Sequence, residues 1–319
     1  MPPRKRAACA TLILALVAVG CGSSHGSSGS KSISLVVGTQ SDDYYRALEC
    51  GASVAAKQAG LSLNSQGPKS FDTSLQVPIV DGVVNTNPKA ILIAPDDSKA
   101  LFPPLSQAHQ NGAKIITVDT TLANKSILTS VVTGDWYRFG EAAGTALAQV
   151  LHGKGKVLGI FAPPGVTTND LGREGFAAAM KRYPGIKVVS VQFSNGDPGK
   201  SASITSATLA RVPDLNGILT FNGGDSAGVV TGLADAGKSK QVAFVSGDAQ
   251  PFEVKLLGQG KIAALVVAKP YDEGVAAVHI AAAALDHKPV PKQVLTSDVV
   301  ATKANMSSPA VAKYFYKPC

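Results

Sequence analysis

Ten short runs of mostly β-branched or small apolar residues, most of them followed by a longer segment of helical length, pace the chain from Ile33 to Ala268. They are Ile33 to Val37, Leu61 to Ser65, Ala90 to Ala94, Lys114 to Val118, Leu128 to Thr133, Lys156 to Ala162, Lys187 to Phe193, Gly217 to Phe221, Gln241 to Ser246 and Ile262 to Ala268. Such runs suit strands covered on both faces. Between them lie segments such as Tyr44 to Ala59, where Leu48, Ala52, Ala55, Ala56 and Ala59 recur near helical spacing. Strand and helix in repeated alternation predict an α/β fold with parallel sheets. A length of 319 residues leads us to expect two lobes of about 150 residues each. At 45% apolar residues, a chain of this size builds its core without metal or disulfide staples.

In an open α/β sheet a ligand binds outside the carboxyl ends of the strands. That rule selects Asp42, Tyr44 and Tyr45 after the first run, Asp119 and Thr120 after the fourth, Asn222 after Phe221, and Asp248 after Ser246. A carboxylate accepts two hydroxyl hydrogen bonds at once, and an aromatic face covers the C–H side of a sugar ring. The set points to a neutral polyhydroxylated ligand. Each of Asp119, Asn222 and Asp248 also has a plainer reading as a helix cap.

The chain opens on Arg4, Lys5 and Arg6, then an apolar stretch, Ala7 to Gly20, whose 14 residues fall short of the ~20 that a helix needs to cross a bilayer. This has the grammar of an export signal over residues 1–20. Ala18-Val19-Gly20-Cys21 resembles a bacterial lipobox, which makes Cys21 the expected lipidation site; the alternative is an ordinary secretory signal in which Cys21 is incidental. Residues 21–32, rich in glycine and serine, read as a flexible tether. Setting aside Arg4, Lys5 and Arg6, 27 basic residues face 22 acidic ones, a net +5 with no basic stripe, so no nucleic-acid partner is expected. Of four cysteines, Cys9 leaves with the signal and Cys21 carries the lipid, which leaves Cys50 and Cys319 as a possible disulfide in an oxidising compartment, or else as two free thiols. Beyond the tether, His109, His152, His279 and His287 form no metal-ligand pair, and neither a metal nor a cofactor is implied.

Two stretches, Asn87-Pro88-Lys89-Ala90-Ile91-Leu92-Ile93-Ala94-Pro95-Asp96-Asp97 and Asn111-Gly112-Ala113-Lys114-Ile115-Ile116-Thr117-Val118-Asp119, resemble the sugar-binding periplasmic binding proteins of the ribose-binding type. Asp135 with Gly140-Glu141-Ala142-Ala143-Gly144, Arg173-Glu174-Gly175-Phe176, Gly217 to Asn222 and Val245-Ser246-Gly247-Asp248 extend the resemblance in order and spacing from about Ser32 to Asn305. The resemblance implies the type 1 fold, two Rossmann-like lobes with parallel sheets joined by a three-stranded hinge. The lobes would be residues 33–134 plus 269–296 and residues 135–268 plus 297–319. It implies a monomer that takes a sugar or polyol between the lobes, closes on it, and presents it to an ABC transporter permease, with the membrane reached through the lipid anchor and no chemistry done on the ligand. Asp42, the pair Tyr44 and Tyr45, Asp119, Asn222 and Asp248 fall on ligand-binding positions of the family. Thr120 and Gly172 stand where ribose binders carry arginine, Gly196 where an aromatic ring often stacks, and Ala268 where they have an amide. Arg173 lies one residue past the expected arginine, a rotation of about 100° on a helix. Trp136, the only tryptophan, is a candidate for the missing aromatic face, or else for hinge packing.

Two other classes remain open. Gly224-Asp225-Ser226-Ala227-Gly228 satisfies the serine-hydrolase pattern Gly-x-Ser-x-Gly, with Asp248 and His279 following in hydrolase order, although only 22 residues separate Ser226 from Asp248. A sensory lipoprotein that binds a non-sugar ligand and signals to a receptor has the same sequence features as a transport component. The C-terminal segment Pro309 to Cys319 carries Tyr314, Phe315 and Tyr316, which are expected to pack on the body; a Cys50–Cys319 bridge would tie this tail across the molecule.

Overall fold

The computed structural model describes residues 31–162, 164–317 and 319, together with Met1 and Pro3. Cys21 and nearly all of the expected signal and tether lie outside the described residues. The body is built on two six-stranded sheets. The first holds β1 (Ser32–Val36), β2 (Ser62–Gln66), β3 (Ala90–Ile93), β4 (Lys114–Val118), β5 (Leu128–Gly134) and β11 (Gln293–Thr296), in the order β11-β5-β4-β3-β1-β2. The second holds β6 (Lys154–Phe161), β7 (Gly185–Phe193), β8 (Gly217–Thr220), β9 (Ala243–Ser246), β10 (Ala264–Val267) and β12 (Val299–Ala301), in the order β12-β10-β9-β8-β6-β7. Every pairing is parallel except that of β10 with β12. The two orders are the same pattern used twice, and in each the first strand of the half lies between the second and the third. At that switch point the following loops diverge and leave a crevice.

All ten sequence runs are strands, and their burial shows why they lack polar alternation. In β1, Leu35 belongs to the larger core cluster and Val36 to a second cluster on the opposite face; Leu92 and Ile91 divide β3 in the same way, and all four are fully buried. Helices cover both faces, so neither set of side chains meets water. The run Gln241 to Ser246 enters the sheet only at Ala243, because the N–H groups of Gln241 and Val242 donate to the Lys238 carbonyl at the preceding helix end. Ile262 likewise donates to Leu256, and β10 starts at Ala264. β11 and β12 were not among the runs. Each pairs with a single neighbour at a sheet edge and is partly exposed, so neither needs a continuous apolar sequence.

The connecting helices are α1 (Asp43–Gln58), α2 (Thr73–Asn85), α3 (Phe102–Gln110), α4 (Trp136–Val150), α5 (Thr167–Lys181), α6 (Pro198–Arg211), α7 (Gly223–Asp235), α8 (Pro251–Gly258), α9 (Pro270–Leu285) and the short α10 (Pro309–Ala312). Among the described residues, no helix is long and apolar enough to cross a membrane. The chain passes between the sheets at three places: from β5 into α4, from β10 into α9, and from β11 to β12.

Beside the crossovers, two helix pairs pack with their backbones in contact. A Cβ on Gly274 of α9 would lie 2.1 Å from the Leu48 carbonyl oxygen of α1, and one on Gly51 would lie 2.0 Å from that of Tyr271. In the other half, a Cβ on Gly140 of α4 would lie 1.9 Å from the Gly172 oxygen, and one on Gly175 of α5 would lie 2.0 Å from that of Tyr137. Gly172 is closed to any side chain on a further count, since its Cβ would meet the Phe221 ring at 2.3 Å. An arginine side chain has no room at this position. By contrast, a Cβ on Gly82 of α2 meets nothing within 4 Å. In urea denaturation, Gly274→Ala is expected to lower stability by about 1–3 kcal/mol through overpacking. Gly82→Ala should raise it by about 0.5–1 kcal/mol through helix propensity. Equal effects of the two substitutions would refute the close-packing account.

Candidate functional site

The loops at the carboxyl ends of both sheets face each other across a cavity of about 490 Å³. From the first half, Asp42, Tyr44, Tyr45, Asp119 and Thr120 line it; from the second, Asn222, Asp248 and Gln250; and Trp136 lies at the crossover between them. The two walls touch. Gln250 Nε2 donates to Asp42 Oδ1 at 3.0 Å and to Asp248 Oδ2 at 3.1 Å, while the Thr121 N–H donates to Thr167 Oγ1 at 3.2 Å. Hydrogen bonds thus span the cleft, as in a closed arrangement.

The acidic groups arrive at the cavity by local rules. Asp42 is the N-cap of α1, accepting from the Tyr44 N–H at 2.9 Å, and Asn222 is the N-cap of α7, accepting from the Asp225 N–H at 2.8 Å. For Asn222, helix capping and cavity lining are therefore not alternatives, since the cap holds the side chain at the strand end that faces the cleft, whereas Asp119 and Asp248 line the cavity without capping a helix. Asp119 follows β4 with φ +58, a left-handed turn that aspartate tolerates, and its Oδ2 accepts from the Tyr45 hydroxyl at 2.7 Å. Asp248 accepts from the Ala249 N–H at 2.8 Å. Burial raises the pKa of all three carboxyls, with Asp119 pushed up to about 7, Asp248 well above the usual carboxylate range and Asp42 also raised. Behind them, burial lifts Glu273 to about 8; it accepts from the Tyr44 hydroxyl at 3.0 Å and from Thr296 Oγ1 at 2.9 Å. No lysine, arginine or histidine stands among the described lining residues.

Tyr44 and Tyr45 line the cavity as a T-shaped pair with ring centroids 5.2 Å apart, and both hydroxyls are committed to carboxylates, so the rings rather than the phenols are free to meet a ligand. Trp136 does both of the things considered for it. It lines the cavity, and it packs against Phe139 at 4.9 Å with its indole N–H donating to Thr133 Oγ1 at 3.0 Å. Thr120 lines the wall with its hydroxyl donating to the Pro95 carbonyl at 2.9 Å. Arg173 is not in the lining. Its guanidinium pairs with Asp170 at 2.9 Å and lies 5.7 Å from the Phe193 ring centre, because the one-residue offset along α5 turns it away from the cleft.

Ser226 is fully buried. Its hydroxyl sits 2.7 Å from Ser246 Oγ and 2.8 Å from Thr220 Oγ1 and donates to the Asn222 carbonyl at 3.1 Å. It belongs to a sealed hydroxyl network with no histidine, so the hydrolase reading is set aside. Among the described residues, no group of three or more acidic, histidine or cysteine side chains could hold a metal ion. Cys50 and Cys319 form a disulfide with Cα atoms 5.6 Å apart. Sequence reasoning missed Gln250, Phe71, Asn169 and Tyr316, which also line the cavity. Gln250 had a signal, since it stands directly before Pro251 with Glu253 three residues on, the pattern of a helix start at a strand's carboxyl end. Tyr316 had none, because it comes from the tail.

The periplasmic binding protein domain model matches residues 33–289. The D-ribose/D-allose-binding protein of Pseudomonas aeruginosa is 31% identical over 276 residues, covering 82% of this chain and 86% of that protein. An ABC transporter solute-binding protein from Agrobacterium vitis, solved with α-D-tagatopyranose, superposes with a TM-score of 0.87 at 34% identity, covering 90% of this chain and 99% of that one. A carbohydrate transporter solute-binding protein from Agrobacterium radiobacter, solved in complex with D-arabinose, superposes with a TM-score of 0.85 at 28% identity, covering 91% and 100%. These relatives are binding proteins and not enzymes. With its two-sheet type 1 architecture and a match over most of its length, this chain belongs to the periplasmic binding protein family.

Proposed function

We propose that this protein is an exported solute-binding protein that captures a neutral polyhydroxylated ligand, a sugar or polyol, between its two halves and delivers it to an ABC permease by hinge closure. One observation carries the reading: the interlobe cavity combines three acidic side chains, three asparagines and seven aromatic side chains, with no basic side chain among the described lining residues. Carboxyl oxygens accept from ligand hydroxyls, the rings cover C–H faces, and no cation among the described lining residues would offset the charge of a sugar phosphate or uronic acid. Contacts from both walls favour the closed state, so closure reports occupancy. Cys21 as a lipid anchor and residues 22–32 as a tether would hold a monomeric body beside the outer face of the membrane, within reach of the permease. The resemblance to ribose binders implies arginines where this chain has Thr120 and Gly172, which favours a ligand that differs from ribose.

A thermal-shift screen against pentoses, hexoses, polyols, uronic acids and amino acids tests the reading. A ligand at about 100 times its Kd adds about 2.7 kcal/mol of stability, enough for a clear rise in melting temperature. A response confined to neutral sugars or polyols is expected; a response to amino acids alone would favour the sensory, non-sugar reading. With the responding sugar, Asn222→Ala and Asp248→Ala should each weaken binding by about 1–3 kcal/mol in calorimetric titration, because hydroxyls are left buried and unpaired. Unchanged affinity in both would place the ligand elsewhere.

The same carboxylates set a pH dependence. A carboxyl whose pKa is raised on folding stabilises the fold fully below its unfolded value, and that stability is lost as pH rises through the folded value. For Asp119 and Glu273 the loss runs from about pH 4 to about 7 and 8 respectively. The ligand-free protein should therefore melt at a lower temperature at pH 8.5 than at pH 6, and Asp119→Asn should flatten the dependence in differential scanning calorimetry. A rise in melting temperature over that interval would contradict the assignment.

A further inference from the structure

The family match stops at residue 289, and the tail beyond β12 runs back to the cleft. α10 seats Val311 in the larger core cluster. The Tyr316 N–H then donates to the carbonyl of Ala249, the residue next to Asp248, at 3.2 Å. On its other side the Tyr316 ring meets Tyr44 of α1 edge to face, with centroids 5.8 Å apart. Three residues later Cys319 is bonded to Cys50, also on α1. The tail is thus fastened to the second half through Ala249 and to the first half through the disulfide. Three residues reach at most roughly 11 Å, so Tyr316 cannot leave the cleft mouth far while both fastenings hold.

Tyr316 lines the cavity and is only 4% exposed. Tyr44 and Tyr45 spend their hydroxyls on Glu273 and Asp119, whereas among the described residues nothing pairs with the Tyr316 hydroxyl. Burial and the nearby carboxylates of Asp248 and Asp42 hold its phenol protonated, hence a donor. In a wall otherwise dominated by carboxylate acceptors, it is a donor left over. We propose that Tyr316 is a ligand-binding residue whose hydroxyl donates a hydrogen bond to an oxygen of the bound sugar or polyol, and that the Cys50–Cys319 disulfide keeps it in place. This assignment rests on the proposed function above. It makes the tail part of the binding site and ties affinity to the oxidation state of one cysteine pair.

The test is calorimetric titration of the full exported chain with D-tagatose, D-ribose, D-allose, D-arabinose and xylitol, using wild type, Tyr316→Phe, Cys319→Ser and the double variant. With whichever probe binds wild type, Tyr316→Phe is expected to bind about tenfold more weakly at an unchanged melting temperature, since no intramolecular hydrogen bond is lost. Cys319→Ser should show a comparable loss, and the double variant little further loss, because both changes remove the same contact. Should Cys319→Ser fail to fold, wild type treated with a reductant, its helix content followed by circular dichroism, takes its place. Wild-type affinity in Tyr316→Phe, or a loss accompanied by a lower melting temperature, would overturn the hydroxyl contact. Full affinity after reduction or in Cys319→Ser would overturn the role of the disulfide. If no probe binds wild type, the sugar reading itself fails and this assignment falls with it, an outcome distinct from binding that ignores Tyr316.

Discussion

Parallel strands that are covered by helices on both faces can meet a second sheet only at their ends, and every functional group of this protein follows from that constraint. Ile91, Leu92 and their neighbours in β3 point into two cores on opposite faces, so neither face of the sheet is free to bind anything. What remains are the loops after the strands. The same strand order in both halves puts a crevice at equivalent places, and the three crossings turn the crevices toward each other. Asp42, Asp119, Asn222 and Asp248 lie around one cavity because each belongs to the segment that leaves the carboxyl end of a strand.

The cavity is an electrostatic compromise. Taking carboxylates out of water is unfavourable, and no cation among the described lining residues offsets it. Instead each acid keeps one or two fixed donors: the Tyr44 N–H and the Gln250 amide for Asp42, the Tyr45 phenol for Asp119, the Ala249 N–H and the Gln250 amide for Asp248. These hold the side chains without satisfying all of their lone pairs. The remaining acceptor capacity is the chemical description of the solute that would complete the site. Gln250 has a further part, since one amide bridges acids from the two halves and joins closure to the geometry of the site.

Opening such a molecule requires the crossings to flex while the helices beside them hold. The glycine contacts of α1 with α9 and of α4 with α5 bring backbones together next to two of the three crossings, which keeps each half rigid up to the hinge. The tail adds a fourth connection of a different kind, a side-chain disulfide between residues separated by 269 positions. In an oxidising compartment such a bond is stable, and here it lies beside the cleft rather than deep in either core.

The strands and their direction were legible because fully buried parallel strands write themselves as apolar runs, and a rim of capping residues at their ends marked most of the cavity. Boundaries slipped at Gln241 and Ile262, where apolar residues bond to a helix end instead of a neighbouring strand. β11 and β12 were invisible because edge strands carry little apolar signal. Sequence by itself determined the layered α/β architecture, the acid-rich rim and the candidate cysteine pair, all of which depend on local pattern or on residue identity. Tertiary structure alone decided that Arg173 turns away, that Ser226 is sealed in a hydroxyl network, and that Tyr316 enters the cleft. Those outcomes depend on a helix rotation of one residue, on packing between elements, and on where a distant tail comes to rest, and none of these is written in the spacing of neighbouring residues.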